Sequence, residues 1–339
     1  MTNQVRNFDQ ELIVSQTIIP HSAYTLAYKR IDQAFRYATN AEAPTYLGVV
    51  GESGSGKSSL LKQFQDDHPA TRDADGALYP IVRVSAPAKP SVKGFYSMIL
   101  GATGDSANQS GTRWVLQERL VERLRNVGTK MLMVDEFQHF VYKRSDRGVQ
   151  DTADMLKSLV DTTNVTLVAA GVGTFTGIFT DAQLHTRFHS LIHLPYFEWS
   201  TAAGQDEYVK LLHGFYVGLT SDFDLPKLHS ENMSFRLFFA TKGILRNLTN
   251  LLRQAVRNAI DLKSNVITIA DLEKAYFETL VSKLGTPEPN PFDSAFLSIT
   301  DLLVAPTRVA GKAPSVKPVE DIFSHLDQQP LGHLLSARR

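Results

Sequence analysis

The stretch Gly51-Glu52-Ser53-Gly54-Ser55-Gly56-Lys57-Ser58 satisfies every fixed position of the pattern G-x-x-x-x-G-K-[ST]. An apolar run at residues 46–50 precedes it and reads as a buried strand, and residues 58–64 read as the first turns of a helix. A glycine-rich turn could match the pattern by accident, but strand, loop and helix together are the context the pattern requires. The physics is direct. Glycines let the backbone fold so tightly that successive N–H groups point inward at an anion. The helix that follows adds the positive end of its dipole. In such a loop Lys57 reaches the β- and γ-phosphates of a nucleoside triphosphate, and the Ser58 hydroxyl binds Mg²⁺. The whole run from Gly51 to Ser59 then lines the nucleotide.

A phosphate loop commits the chain to an α/β core, and 339 residues suffice for that core plus a smaller helical domain. The absence of cysteine excludes disulfides and thiolate metal sites and fits a reducing cytoplasm. No apolar run approaches the roughly 18 residues of a membrane span, and residues 1–10 are polar and carry acid, unlike a secretory signal. A cytoplasmic protein without membrane contact is expected. Net charge is zero, with 35 basic and 35 acidic residues. Any nucleic-acid contact must come from a local patch or from many subunits together.

Along the chain, residues 22–38 carry apolar or aromatic side chains at helical spacing, including Tyr24 and Tyr28. These two either stack near a base or serve as core aromatics. After the loop, residues 78–85 read as a strand, 92–100 as a helix, 101–111 as a loop and 114–127 as a charged amphipathic helix. Further strands are predicted at 130–134, 165–170 and 191–197, with helices between them. Short apolar strands alternating with helices predict a parallel sheet covered on both faces. From 202 to 284 only helical patterns remain, at 207–216, 234–240, 244–262 and 269–284, the last with a capping-box pair at Thr268 and Asp271. The predicted divisions are an N-terminal segment (1–43), a nucleotide-binding core (44–200), a helical lid (201–284) and a proline-rich linker with a partner-binding or mobile tail (285–339).

The strand at 130–134 ends in Asp135-Glu136. An acidic pair at a strand end can be plain surface. Placed after a phosphate loop, it reads as the second half of an ATPase site. Asp135 would hold Mg²⁺, and Glu136 would orient or deprotonate the attacking water.

The order of phosphate loop, Met-Leu-Met-Val-Asp-Glu-Phe-Gln-His, Gly-Val-Gly-Thr and Gln-Leu-His-Thr-Arg-Phe resembles the TnsC/TniB group of AAA+ ATPases over about residues 20–284. These are regulators of DNA transposition. The resemblance implies an AAA+ α/β core with a C-terminal helical lid, ATP and Mg²⁺ as ligands, and assembly into a ring or filament on double-stranded DNA. It also implies a transposase as partner, together with a target-selection protein or RNA-guided complex. Residue by residue, Gly51 to Ser58 would be the Walker A loop and Asp135 and Glu136 the Walker B pair. Thr174 would be the first sensor, although the family's usual asparagine is absent. Arg187 would be an arginine finger reaching a neighbouring subunit's nucleotide, and Arg246 the second sensor, one turn into a helix that Gly243 starts. The alternative for Arg187 is an ordinary surface arginine at a helix end, and for Arg246 a solvated helix arginine. His139 has no further metal ligands at sensible spacing and reads as a hydrogen-bonding or switch residue. His185, His189 and His193 fall four apart, with a strand expected to start between them. Lys89 and Lys93, or Lys143 and Arg144 with Arg147 in a loop after Walker B, are candidate DNA contacts or simply solvated charges. The same core also serves replication-type loaders and signalling ATPases with no DNA role, and these remain the alternatives.

Overall fold

A computed structural model describes residues 13–14, 17–40, 44–74, 76–140, 146–173, 188–281, 290–294 and 296. All belong to one compact unit, Met1–Phe296, and the second unit, Leu297–Arg339, lies outside the described residues.

The core is a five-stranded sheet built from β1 (Tyr46–Val50), β4 (Ile81–Ser85), β5 (Met131–Asp135), β6 (Thr166–Gly171) and β7 (Phe188–His193). The order is β4-β5-β6-β1-β7 and every pairing is parallel. Parallel strands need crossovers, so helices cover both faces and the central strands are largely apolar. β1, β5 and β6 are buried at every position. Side chains alternate between two cores. Leu132, Val134, Leu167 and Ala169 face one, which is filled by α3 (Val92–Ala102), α4 (Arg113–Asn126) and α5 (Asp146–Thr163). Met131, Met133, Val168 and Ala170 face the other, filled by α1 (Ser22–Thr39) and α2 (Lys57–Asp67).

Three sequence expectations shift. The strand expected at 78–85 splits. Leu78 belongs to β3 (Ala77–Leu78), which pairs antiparallel with β2 (Thr71–Arg72), and β4 starts only at Ile81. Pro80 has no N–H to give a ladder and separates the two. The strand expected at 191–197 starts at Phe188, and the chain leaves the sheet before Pro195. β7 thus holds both His189 and His193. The register slips at His189, since Tyr46 pairs with Phe188 and Leu47 with Ser190. Arg147, expected in a loop, lies in α5.

After β7 come α6 (Ala202–Leu219), α7 (Glu231–Thr241), α8 (Leu245–Asp261) and α9 (Ile269–Tyr276), which runs into a π-turn at Phe277–Val281. α8 places Leu248, Leu251, Leu252, Ala255, Val256 and Ala259 on one stripe, and these anchor a third hydrophobic cluster. Thr268 and Asp271 form the expected capping box of α9. A strap, residues 17–21, runs along α6 before α1. Cβ atoms added at Gly214 and Gly218 would lie 2.8 Å from Ile19 and 3.3 Å from Thr17, so the strap rests directly on that helix's backbone. The backbone N–H of Ser22 then donates to Glu207 of α6 at 2.7 Å.

Candidate nucleotide site

The site lies at the carboxyl ends of the parallel strands, where open α/β sheets bind their ligands. β1 delivers the chain into the loop, and Gly51 N–H donates to Gly171 at the end of β6 at 3.2 Å. Gly54 and Gly56 take φ of +87° and +104°, a region closed to most side chains. Gly56 is the residue before α2, so Lys57 opens the helix. Lys57 is 7% exposed, and its ammonium donates to the carbonyls of Gly51 at 2.7 Å and Glu52 at 2.9 Å. Burial pulls its pKa down; Asp135, Glu136 and Glu52 push the other way, and Arg246 adds to the lowering. A cation partly stripped of water and held over a glycine loop is prepared for an anionic ligand.

Asp135 ends β5 and is buried. Its Oδ1 accepts the N–H of Glu136 at 2.9 Å. That bond helps to hold Glu136 at φ 54°, a left-handed conformation costing roughly 1–3 kcal/mol in a non-glycine residue. The Glu136 carboxylate accepts from Gln138 Nε2 at 2.5 Å and lies 4.0 Å from His139 Nε2. Gln138 Oε1 in turn accepts the N–H of Val172, just beyond β6, at 3.3 Å.

Arg246 comes from the helical side. Gly243 does not start its helix; it sits with φ +68° in the turn after α7, and Arg246 is the second residue of α8 rather than a turn in. Its guanidinium donates to Ser53 Oγ at 3.2 Å. Tyr196 adds a second tether, its hydroxyl donating to Ser53 O at 2.7 Å.

Gly54, Gly56, Lys57, Ser58, Ser59, Glu136, Gln138 and Arg246, among others, line one cleft of about 800 Å³, while Gly51, Glu52, Ser55 and Asp135 lie outside its lining. Tyr24 lines it too, whereas Tyr28 packs against Phe64 and donates its hydroxyl to Asp67 at 2.6 Å. Sequence reasoning missed several lining groups. Thr17, Ile18, Ile19 and His21 of the strap have no periodicity to betray them. Asn250 and Arg253 follow Arg246 by four and seven residues, so helical spacing could have found them. Lys89 and Lys93 are exposed, in the loop after β4 and at the start of α3, away from the cleft lining. Thr174, Arg187, Lys143, Arg144 and His185 lie outside the described residues.

The fold has recognisable counterparts. The Aeropyrum pernix ORC1 protein in complex with DNA aligns over 79% of this chain and 69% of its own, with a TM-score of 0.58 at 16% identity. The ORC2 protein of the same organism, in ADPNP and ADP complexes, aligns over 82% and 72% with a TM-score of 0.57 at 15% identity. Cdc6p from Pyrobaculum aerophilum gives 0.58 at 13% identity over 79% and 70%. At these identities the likeness is one of fold: a core of five parallel strands with a helical region after it. No curated protein matches the chain. The family model for the bacterial TniB protein matches residues 10–200, which hold the whole sheet and the phosphate loop, and the chain therefore belongs to the TniB family.

Proposed function

We propose that this protein binds and hydrolyses ATP and uses the cycle to regulate DNA transposition. The observation that carries the reading is the convergence of Lys57, Glu136 and Arg246 on one cleft, each from a different part of the chain. Lys57 would exchange its loop carbonyls for the β- and γ-phosphates. Glu136, with Asp135 behind it, would orient the attacking water and take its proton. Arg246 would bring a fixed planar cation from the lid onto the phosphates.

The donors fit Mg²⁺. Among the described residues no group of three or more His, Asp or Glu forms a cage. The hydroxyl of Ser58 and the carboxylate of Asp135 are hard oxygen donors, few in number, as suits an ion that keeps water and phosphate as its other ligands. Bound there, the ion would neutralise charge on the phosphates.

The working division is a core at 44–200 and a lid at 201–284, flanked by the segments 1–43 and 285–339. Thr174 is the proposed first sensor and Arg187 the finger supplied to a neighbouring subunit. ATP would drive assembly into a ring or filament on duplex DNA, with Lys89, Lys93, Lys143 and Arg144 as phosphate contacts. The assembly would mark a target for a transposase after recruitment by a target-selection protein or RNA-guided complex. What supports the transposition role is the family; the fold alone would serve a replication-type loader equally.

The test is ATP affinity and turnover in three variants. Lys57→Ala should lose tight binding. Glu136→Gln should bind ATP and turn over very slowly. Arg187→Ala should bind as a monomer without hydrolysing, and mixing it with Glu136→Gln should partly restore turnover at mixed interfaces. Wild-type affinity in Lys57→Ala would remove the phosphate-loop reading, and no rescue at any ratio would remove the shared site.

A further inference from the structure

Gln138 occupies a position that the Walker B pattern itself does not explain. It lies in the single 3₁₀ turn Phe137–Phe140 that follows β5. Its neighbours Phe137 and Phe140 point into the core, at 0% and 2% exposure, and pack on each other with ring centroids 5.4 Å apart. The turn is therefore pinned from beneath. Gln138, between them in sequence, lines the nucleotide cleft beside Glu136.

Both ends of its amide are committed. Nε2 donates to Glu136 Oε2 at 2.5 Å, and Oε1 accepts from the backbone N–H of Val172 at 3.3 Å. The amide is thus oriented by its partners, because a flip would set its donor against the Val172 N–H and its acceptor against a carboxylate. Val172 directly follows Gly171, the last residue of β6, whose carbonyl accepts the N–H of Gly51. One strand end therefore holds the first glycine of the phosphate loop through its carbonyl, and the Glu136 carboxylate through Gln138.

We infer that Gln138 is a positioning residue: it fixes the Glu136 carboxylate against the end of β6, so that the acid and the phosphate loop are held in register by the same piece of backbone. The chemistry favours such a brace. Glu136 already carries a left-handed backbone, its side chain is 44% exposed, and a carboxylate on an exposed rotor orients water poorly. A charge-assisted hydrogen bond from a doubly anchored amide restricts that rotor. A misplacement of about 1 Å at a reacting group can cost on the order of 10²-fold in rate. The inference rests on the reading of Glu136 as the group that handles the attacking water.

The experiment is steady-state ATP turnover of the full chain with Mg²⁺ and duplex DNA, alongside ATP affinity and thermal melting. It compares Gln138→Ala, Gln138→Glu, Glu136→Gln and the double variant Gln138→Ala/Glu136→Gln. Gln138→Glu matters because it keeps an acceptor for the Val172 N–H but sets a second carboxylate against Glu136, so it replaces the brace with like-charge repulsion. Both Gln138 variants should lose about tenfold or more in kcat, and Gln138→Ala, which adds no charge to the cleft, should keep ATP affinity within about twofold of wild type, as for an interaction made in the reaction rather than in binding. In the Glu136→Gln background, removing Gln138 should change turnover less than about twofold, since residues acting as a unit are not additive. Wild-type kcat in both Gln138 variants would overturn the inference. So would additive losses in the double variant, which assign Gln138 a role independent of Glu136. Normal turnover in Glu136→Gln alone would overturn the assignment of Glu136 itself, a failure separable from either.

Discussion

The backbone N–H of Arg246 donates to the carbonyl of Gly54 at 3.1 Å, joining the second residue of α8 to the middle of the phosphate loop. A Cβ added at Gly54 would lie 2.9 Å from the Cβ of Arg246 and 3.1 Å from Ile244 Cγ2. The lid helix thus sits on the bare backbone of the loop. A side chain added to the loop at Gly54 would therefore meet the helix that carries Arg246.

Gly54→Ala tests this contact. The new side chain meets a left-handed φ of +87° and a clash with α8. The backbone term alone is about 1–2 kcal/mol. The variant should fold with a lower Tm and bind ATP at least about tenfold more weakly, read by calorimetric titration. Unaltered affinity would mean that loop and lid are not mechanically joined.

The strap offers a second test away from the phosphates. Gly214 does not line the cleft, yet a Cβ there would stand 2.8 Å from Ile19, which does. Gly214→Leu should push the strap off α6 and remove a wall of the cleft. ATP affinity should fall about tenfold, equivalent to ~1.4 kcal/mol, while Gly218→Ala, with its nearest atom at 3.3 Å, should cost less. Equal effects of the two, or none from Gly214→Leu, would show the strap to be irrelevant to binding.

How much of this was legible in the sequence differs by residue. The placement of Lys57 in the cleft was, because the phosphate-loop pattern fixes residue type and spacing together. The position of Asp135 and Glu136 at the end of β5 was, because an acidic pair interrupts an apolar strand at its end. Arg246 was legible as a residue but not in its helical position, since Gly243, expected to start the helix, takes a left-handed turn after the αL cap at Lys242 and the helix begins only at Leu245. The strand expected from residue 78 failed at Pro80, where a missing N–H outweighs the alternating pattern. Gln138, Tyr196 and the strap were invisible for a common reason. Each acts through long-range hydrogen bonds or packing, and nothing in a local pattern records a partner 34 or 143 residues away.

His21 gives a pH prediction. It is the N-cap of α1, and its Nδ1 accepts the N–H of Tyr24. Burial holds its pKa below the usual 6.5, with Glu207 partly opposing. A folded-state pKa below the unfolded one means that the neutral ring's stabilisation is complete above pH 6.5 and is lost as pH falls through the lowered folded value. His21→Asn keeps a capping acceptor that does not titrate in this range. Between about pH 7.5 and about pH 5.5 the wild type should lose more Tm than the variant. Parallel curves would place the acid sensitivity elsewhere.

DNA binding should be a property of the assembly. With 35 basic and 35 acidic residues, one subunit offers duplex DNA little net attraction, because affinity for phosphates follows the number of cations that displace counterions. Lys89 and Lys93 are exposed a few residues apart around the start of α3, enough for a few phosphate contacts per subunit. Repeated along a ring or filament, such contacts would form a continuous track, and each bound subunit would raise the effective concentration of the next. Binding should therefore require ATP or a slowly hydrolysed analogue, rise steeply with protein concentration, ignore sequence and weaken with salt. Replacing Lys89 and Lys93 together, or Lys143 and Arg144 together, should weaken it and lower the salt slope while monomers still bind ATP. The measurement is a duplex titration with and without nucleotide at two salt concentrations. Non-cooperative binding of equal strength without nucleotide would eliminate the assembly model, and no binding under any condition would favour a protein switch that never touches DNA.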